Sequence, residues 1–139
     1  MLTREGYIKR IMVLGQYCSP QRGEETALLV FFCLKKVLSK ESYQNIFELL
    51  PEPVKSFWEN ASLNGTSDDV DCITLAKRMG NYPYRAAAEK AFEVIFASIR
   101  EIIDDDKKMK LMDFLPSPLK VIFERSKSCA FDGSAGDFL

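Results

Sequence analysis

The sequence predicts an all-α fold in which two tandem copies of a four-helix unit pack into one compact helical domain. Three observations lead to this prediction. No segment alternates apolar and polar residues over the length of a strand with hairpin turns at its ends. Glycines and prolines recur at the ends of segments that have helical periodicity. The chain also aligns with itself, without a gap, at an offset of 65 residues.

Two short motifs carry the internal repeat. Residues 50–55, Leu-Pro-Glu-Pro-Val-Lys, align with residues 115–120, Leu-Pro-Ser-Pro-Leu-Lys. The Gly-Gln-Tyr segment at 15–17 aligns with the Gly-Asn-Tyr segment at 80–82. At the same offset the apolar positions of the longest segments superpose, as equivalent core faces of two repeats would.

Length and composition fit a single domain. The chain has 139 residues, of which 47% are hydrophobic, and domains of this size build one core. We therefore predict one helical domain over residues 1–126, made of repeats 5–61 and 70–126. The remaining residues, 127–139, have no counterpart in the first repeat and are expected to form a flexible C-terminal tail.

The first helix of each repeat is predicted over residues 5–14 and 69–79. Each of these segments is followed by a glycine, Gly15 or Gly80. Glycine adopts the left-handed C-cap conformation at little steric cost, so both glycines are expected to end their helices in that conformation.

The second and third helices follow in order. The second is predicted over residues 24–38 and 84–103, and in the first repeat it is apolar nearly all round, as a helix enclosed by neighbours would be. The third is predicted over residues 40–49 and 106–114. It must end there because a Leu-Pro pair follows in both repeats, and a residue before proline avoids the α region.

The fourth helix is expected to begin near Pro53 and Pro118. Proline suits the first helical position, where its missing N–H costs nothing, and Ser117 is placed to act as the N-cap of the second copy. This helix carries large apolar residues in both repeats. They are Phe57, Trp58, Ile122 and Phe123.

Charge and composition exclude several classes of function. The formal net charge is -1, so no overall field would draw the chain to nucleic acid or an anionic membrane. Histidine is absent, which removes imidazole-based triads and the common zinc sites. The longest apolar run, residues 27–34, is far shorter than the roughly 20 residues of a membrane-spanning helix. The N-terminus lacks a secretory signal, so we expect a cytoplasmic protein with reduced thiols.

Acidic clusters are the first candidates for chemistry. Residues 104–106 and the aspartates at 68, 69 and 71 could supply oxygen ligands to Ca²⁺ or Mg²⁺, but both clusters precede predicted helices and are expected to cap them. Glu24 and Glu89 recur at the same place in both repeats. They could perform acid–base work, but stabilisation of a first helical turn explains them equally well. We assign no catalytic residue, no cofactor and no metal site.

Features of the repeats resemble a known family. The Leu-Pro-x-Pro segments are each followed by a lysine and an aromatic residue, within residues 54–58 and 119–123, and Glu24-Glu25-Thr26-Ala27 opens the long helix. With the duplicated unit, these features resemble the bacterial domain-of-unknown-function family 2267 over residues 2–126. The resemblance implies a duplicated all-helical fold in a bacterial cytoplasm, and it implies no established activity, cofactor or catalytic residue.

Exposed apolar and aromatic residues are the candidate interaction surface. The large apolar residues of the fourth helices either join the two halves of the chain or form a patch that recruits another protein. Tyr17 and Tyr82 either present hydroxyl groups where the halves meet or cover a helix junction. Phe138 lies in the predicted tail, which either acts as a docking peptide or folds back onto the surface. The candidate residues are Phe57, Trp58, Ile122, Phe123, Tyr17, Tyr82 and Phe138.

Three function hypotheses follow. The first is a non-enzymatic protein–protein interaction or adaptor module, with an unidentified protein partner and with homodimerisation left open. The second is a binder of a small apolar ligand in a cavity between the repeats. The third is an enzyme that uses carboxylates and lysine, for which no positioned pair is evident. The cavity of the second hypothesis would be lined by residues such as Phe31, Phe32, Phe92 and Phe96.

Overall fold

The computed structural model describes residues 3–60 and 71–135, and of residues 60 and 128–135 it describes the backbone only. Within these ranges the regular structure consists of eight helices and no strand, so the all-α prediction is confirmed for the described residues. The helices are α1 (Arg4–Gly15), α2 (Pro20–Val37), α3 (Lys40–Leu49), α4 (Glu52–Asn60), α5 (Cys72–Met79), α6 (Arg85–Arg100), α7 (Asp105–Phe114) and α8 (Ser117–Ala135).

Side-chain caps fix where most helices begin. Ser19 accepts a hydrogen bond from the Arg22 N–H, and Pro20 occupies the first position of α2. This strong start places the helix four residues earlier than the sequence pattern suggested. Asp104 accepts from the Lys107 N–H in the same way, with two further aspartates in the first turn of α7. Capping by residues 104–106 is therefore confirmed.

The two glycines do not adopt the expected left-handed conformation. Gln16 and Asn81 hold the positive φ angles, 56° and 54°, whereas no glycine has a positive φ among the described residues. A Cβ atom on Gly15 would lie 2.4 Å from the ring of Tyr17, and one on Gly80 would lie 2.5 Å from the ring of Tyr82. The glycines are therefore needed for the close approach of a tyrosine ring and not for backbone freedom.

Two long helices form the middle of the bundle. α2 packs against α1, α4, α5 and α6, while α6 packs against α1, α2, α5 and α8. Their inner faces are almost wholly apolar, with Leu34 and Ile99 each 2% exposed. One buried polar contact joins α1 to α6, where the Tyr7 hydroxyl and Ser98 Oγ lie 2.8 Å apart.

The last helix extends beyond its predicted end. α8 continues to Ala135, past residue 127, where the sequence suggested that a tail begins. No proline interrupts the segment and its first glycine is Gly133, so a helix nucleated at Ser117 can propagate that far. Ser117 is the first residue of α8 and not its N-cap. Residues 136–139, including Phe138, lie outside the described residues.

Hydropathy was also compared with the needs of a membrane span. Among the described helices, none combines the length and the apolar character that crossing a bilayer would require.

Candidate binding groove

Four of the predicted interaction residues lie in the core, so the expectation of an exposed patch is wrong for them. None is more than 3% exposed, because the fourth helix of each half turns its apolar face inward. Phe57 packs edge-on against Tyr7 with ring centroids 5.7 Å apart, and Phe123 packs in the same way against Phe96 at 5.4 Å. The buried residues are Phe57, Trp58, Ile122 and Phe123.

The other two predicted aromatic residues, Tyr17 and Tyr82, meet at an open groove between the end of α1 and the start of α6. The groove has a volume of about 430 Å³, within the usual range of ligand and peptide pockets. We call it the tyrosine groove. It is lined by Gly15, Tyr17, Tyr82, Tyr84, Ala86, Ala87, Lys90 and Ala91.

Local turn geometry positions the two tyrosines. The backbone N–H of Tyr17 donates to Met12 O at 2.9 Å, and that of Tyr82 donates to Lys77 O at 3.0 Å. These bonds satisfy carbonyl groups that the helix ends would leave free. Each ring then lies over the preceding glycine, which lacks the Cβ atom that would block it. Two rings are thereby fixed at one wall of the groove.

The floor of the groove is the first two turns of α6. Three small residues, Ala86, Ala87 and Ala91, line it and leave space above the helix. The N-cap residue of α6, Tyr84, makes no side-chain cap hydrogen bond, and its ring is one of the most exposed large apolar groups, at 61%. The helix terminus therefore offers backbone donors and a positive dipole end beside apolar surface.

One cation belongs to the groove. Lys90 is exposed and has no ion pair or hydrogen bond with another described residue. Its neighbours on α6 are already paired, since Arg85 contacts Asp71 at 3.3 Å and Glu89 contacts Arg125 at 3.0 Å. Burial raises the pKa of Tyr82, so that its hydroxyl stays protonated at neutral pH. The groove therefore carries a net positive charge.

A second groove of about 210 Å³ lies between α7 and α8. Its central residue, Arg100, stacks on Phe123 at 4.0 Å and donates to Phe123 O at 2.9 Å and to Ser126 Oγ at 2.8 Å. Burial lowers the pKa of Arg100. The two lysines that line this groove are both paired, Lys108 with Asp105 and Lys127 with Glu124, so their charges are already compensated.

The carboxylates that the sequence singled out lie in caps and surface ion pairs. Asp71 caps α5, whereas the aspartates at 68 and 69 lie outside the described residues. Glu24 contacts Arg4 at 2.7 Å, and Glu89 contacts Arg85 as well as Arg125. Neither glutamate stands in a first turn, because α2 and α6 begin four residues before them, so the first-turn interpretation is wrong. Within residues 3–60 and 71–135 no cluster of acidic and cysteine side chains could hold a metal ion.

The rings that were expected to line an apolar ligand cavity are part of the packed interior. Each is 4% exposed or less, and Phe92 and Phe96 pack edge-on with centroids 6.2 Å apart. None of the rings lines either of the two grooves. They are Phe31, Phe32, Phe92 and Phe96.

Sequence reasoning found two members of the tyrosine groove and missed the others. Tyr84, Lys90 and the alanines carry no motif of their own. A signal was nevertheless present in the repeat, because Ala86, Ala87 and Ala91 align with Gln21, Arg22 and Thr26 at the offset of 65 residues. A row of small residues where the other repeat has long ones indicates an opening.

The chain was compared with protein-family models, with curated proteins and with solved structures, and no match was found in any of the three.

Proposed function

We propose that this protein is a non-enzymatic interaction module whose tyrosine groove binds an extended segment of a partner protein. The observation that carries the proposal is the groove itself: three tyrosines over an alanine floor, open to solvent. Tyrosine gives a large contact area at low entropic cost and is enriched in protein-recognition surfaces. The volume of about 430 Å³ is enough for a few side chains of a peptide.

Charge specifies the chemistry of the partner segment. The ammonium group of Lys90 and the uncapped start of α6 both favour a negative group at one end of the groove. The alanine floor and tyrosine rings favour an apolar side chain beside it. We therefore propose that the bound segment carries an aliphatic or aromatic residue next to an aspartate or glutamate.

We also propose that the fold arose by duplication of a four-helix unit, as membership of family 2267 would imply, and that the module acts in the cytoplasm. Buried contacts between the halves support the duplication. Tyr7 on α1 meets Ser98 on α6, and at the offset of 65 residues this pair becomes Cys72 on α5 and Cys33 on α2, which also meet. The packing of α1 on α6 is likewise matched by the packing of α5 on α2.

The duplication explains why the groove is open on one side only. Tyr82 lies near Arg22 and Thr26 at the start of α2. The corresponding neighbours of Tyr17 are the alanines at the start of α6. A pseudo-twofold arrangement would thus fill one of the two equivalent positions with long side chains and leave the other as a binding site.

Selection from a displayed random-peptide library tests the proposal. We expect enriched peptides in which an acidic residue adjoins an apolar one. Ala87→Arg, which places in the groove the side chain found at the aligned position of the other repeat, should abolish their binding. Lys90→Glu should weaken it about tenfold, which corresponds to about 1.4 kcal/mol. Lys107→Glu, an equally exposed lysine on α7, is the matched control and should leave affinity unchanged.

Two results would contradict the proposal. One is a selection that enriches no peptide, or peptides that bind the Ala87→Arg variant as tightly as the native protein. The other is self-association through this surface. If sedimentation shows a dimer that Ala87→Arg converts to a monomer, the occupant is a second copy of the chain and not a partner segment.

A further inference from the structure

Two buried thiols meet where the halves of the chain pack together. Cys33 lies in the middle of α2 and is 0% exposed, while Cys72 is the first residue of α5 and is 5% exposed. α2 and α5 pack on each other, and the two thiols share a hydrogen bond. Both cysteines are free. The contact therefore brings together two reactive groups that the interaction function does not use.

This thiol pair differs from the polar contact at the aligned position. Tyr7 and Ser98 there form a hydrogen bond that cannot become covalent. Two thiols in mutual contact have a further option, because removal of two electrons and two protons joins them. Cys33 and Cys72 also lie on helices from different halves, so a bond between them would close a long loop of the chain.

We infer that Cys33 and Cys72 are a redox-sensitive pair that hydrogen peroxide converts into a disulfide linking α2 to α5. In the first step the Cys72 sulfur attacks one peroxide oxygen, the O–O bond breaks, and a sulfenic acid and water form. In the second step the Cys33 sulfur attacks the Cys72 sulfur, the S–O bond breaks and a second water leaves. The two thiols lose two electrons and two protons, and the peroxide is reduced to two waters.

The environment of the pair makes this oxidation slow and selective. The hydrogen bond with Cys33 and the burial of Cys72 both raise the pKa of the Cys72 thiol, so the reactive thiolate is scarce at neutral pH. Cys18, which is exposed, should therefore react with peroxide first. The pair would respond to sustained oxidation and not to brief exposure.

The bond would also fix one wall of the tyrosine groove. α5 ends at Met79, and the turn that follows it carries Gly80 and Tyr82. A Cβ atom on Gly80 would lie 2.9 Å from Leu29 of α2, so the far end of α5 already contacts the same helix. A covalent link at Cys72 would hold the other end of α5.

Mass spectrometry of a Cys18→Ser, Cys129→Ser variant tests the inference, because Cys33 and Cys72 are then the only thiols in the chain. After treatment of the folded protein with hydrogen peroxide, we expect a mass lower by two hydrogens and no alkylation on unfolding. Peptide mapping should recover the segment around residue 33 joined to the segment around residue 72. Dithiothreitol should reverse the change, and the linked protein should have a higher Tm than the reduced protein.

The controls separate native proximity from chance reaction. The same variant oxidised in urea should form the link far more slowly, because the folded contact is lost, and a further Cys33→Ala change should prevent it. The inference is overturned if both thiols remain fully alkylatable under conditions that oxidise Cys18 in the wild-type protein. Equal rates in the folded and unfolded protein, a link between two molecules, or a lower Tm of the linked form would also overturn it.

Discussion

Replacing Tyr7 by phenylalanine removes one buried hydroxyl group and leaves the ring in place. Tyr7 is 0% exposed, and its hydroxyl lies 2.8 Å from Ser98 Oγ. Ser98 also donates to Ile95 O at 2.6 Å, so the Tyr7 hydroxyl is the donor in the contact between them. The variant therefore loses one hydrogen bond but leaves no buried donor unsatisfied.

The cost at neutral pH follows from that single bond. A net hydrogen bond contributes about 1 kcal/mol to the free energy of unfolding, since the unfolded chain bonds to water instead. For a domain of 139 residues this corresponds to a fall in Tm of about 4 °C. Urea unfolding followed by circular dichroism at pH 7 measures the difference directly.

The same substitution should change sign in alkali. Burial raises the pKa of Tyr7 well above the value of about 10 that tyrosine has in an unfolded chain. The stability that this group contributes is fully present below pH ~10 and is lost as the pH rises above it, because the unfolded state releases the proton and the folded state does not. The loss is about 1.4 kcal/mol by pH 11. The phenylalanine variant lacks this loss, so the two proteins should be about equally stable near pH 11.

The comparison of the two pH values isolates Tyr7, because every other titrating group is common to both proteins. Ser98→Ala completes a double-mutant cycle and should show little additional cost in the Tyr7→Phe background. A Tyr7→Phe deficit that is equally large at pH 7 and pH 11 would mean that the hydroxyl ionises in the folded protein. It would refute the buried contact between α1 and α6.

Two other predictions concern the core and the helix ends. Leu34→Ala and Ile99→Ala should each lower the free energy of unfolding by about 2 to 5 kcal/mol, because both side chains are 2% exposed and leave cavities. Unchanged urea midpoints for both would contradict the core assignment. Asp104→Ala should cost about 1 kcal/mol through loss of the cap on Lys107 N, while Asp104→Asn should retain most of the stability. Thermal denaturation measures both, and equal losses would indicate that the cap is not formed.

Local signals in the sequence were sufficient where the physics is local. α3 spans the predicted residues, Lys40–Leu49, because its limits are set by a serine cap at one end and by a following proline at the other. Asp104 caps α7 for the same reason. Such interactions act within a few residues along the chain, so residue order is enough to read them.

Side-chain orientation was not readable in the same way. Phe57 and Trp58 have the composition of an exposed hot spot or of a core, and the pattern of one helix does not say what covers it. The glycines are a further case. Gly15 fits a left-handed cap equally well on paper, but its position is dictated by the Tyr17 ring that lies over it.

The amino-acid sequence by itself determined that the chain is helical, where its prolines end helices, and that one pattern recurs along it. Helical periodicity and capping are properties of neighbouring residues. Only the tertiary structure decided that Tyr17, Tyr82, Tyr84 and Lys90 share one groove and that two thiols meet between α2 and α5. The physical reason is that packing of distant helices chooses which faces are buried, and that choice depends on many weak contacts at once.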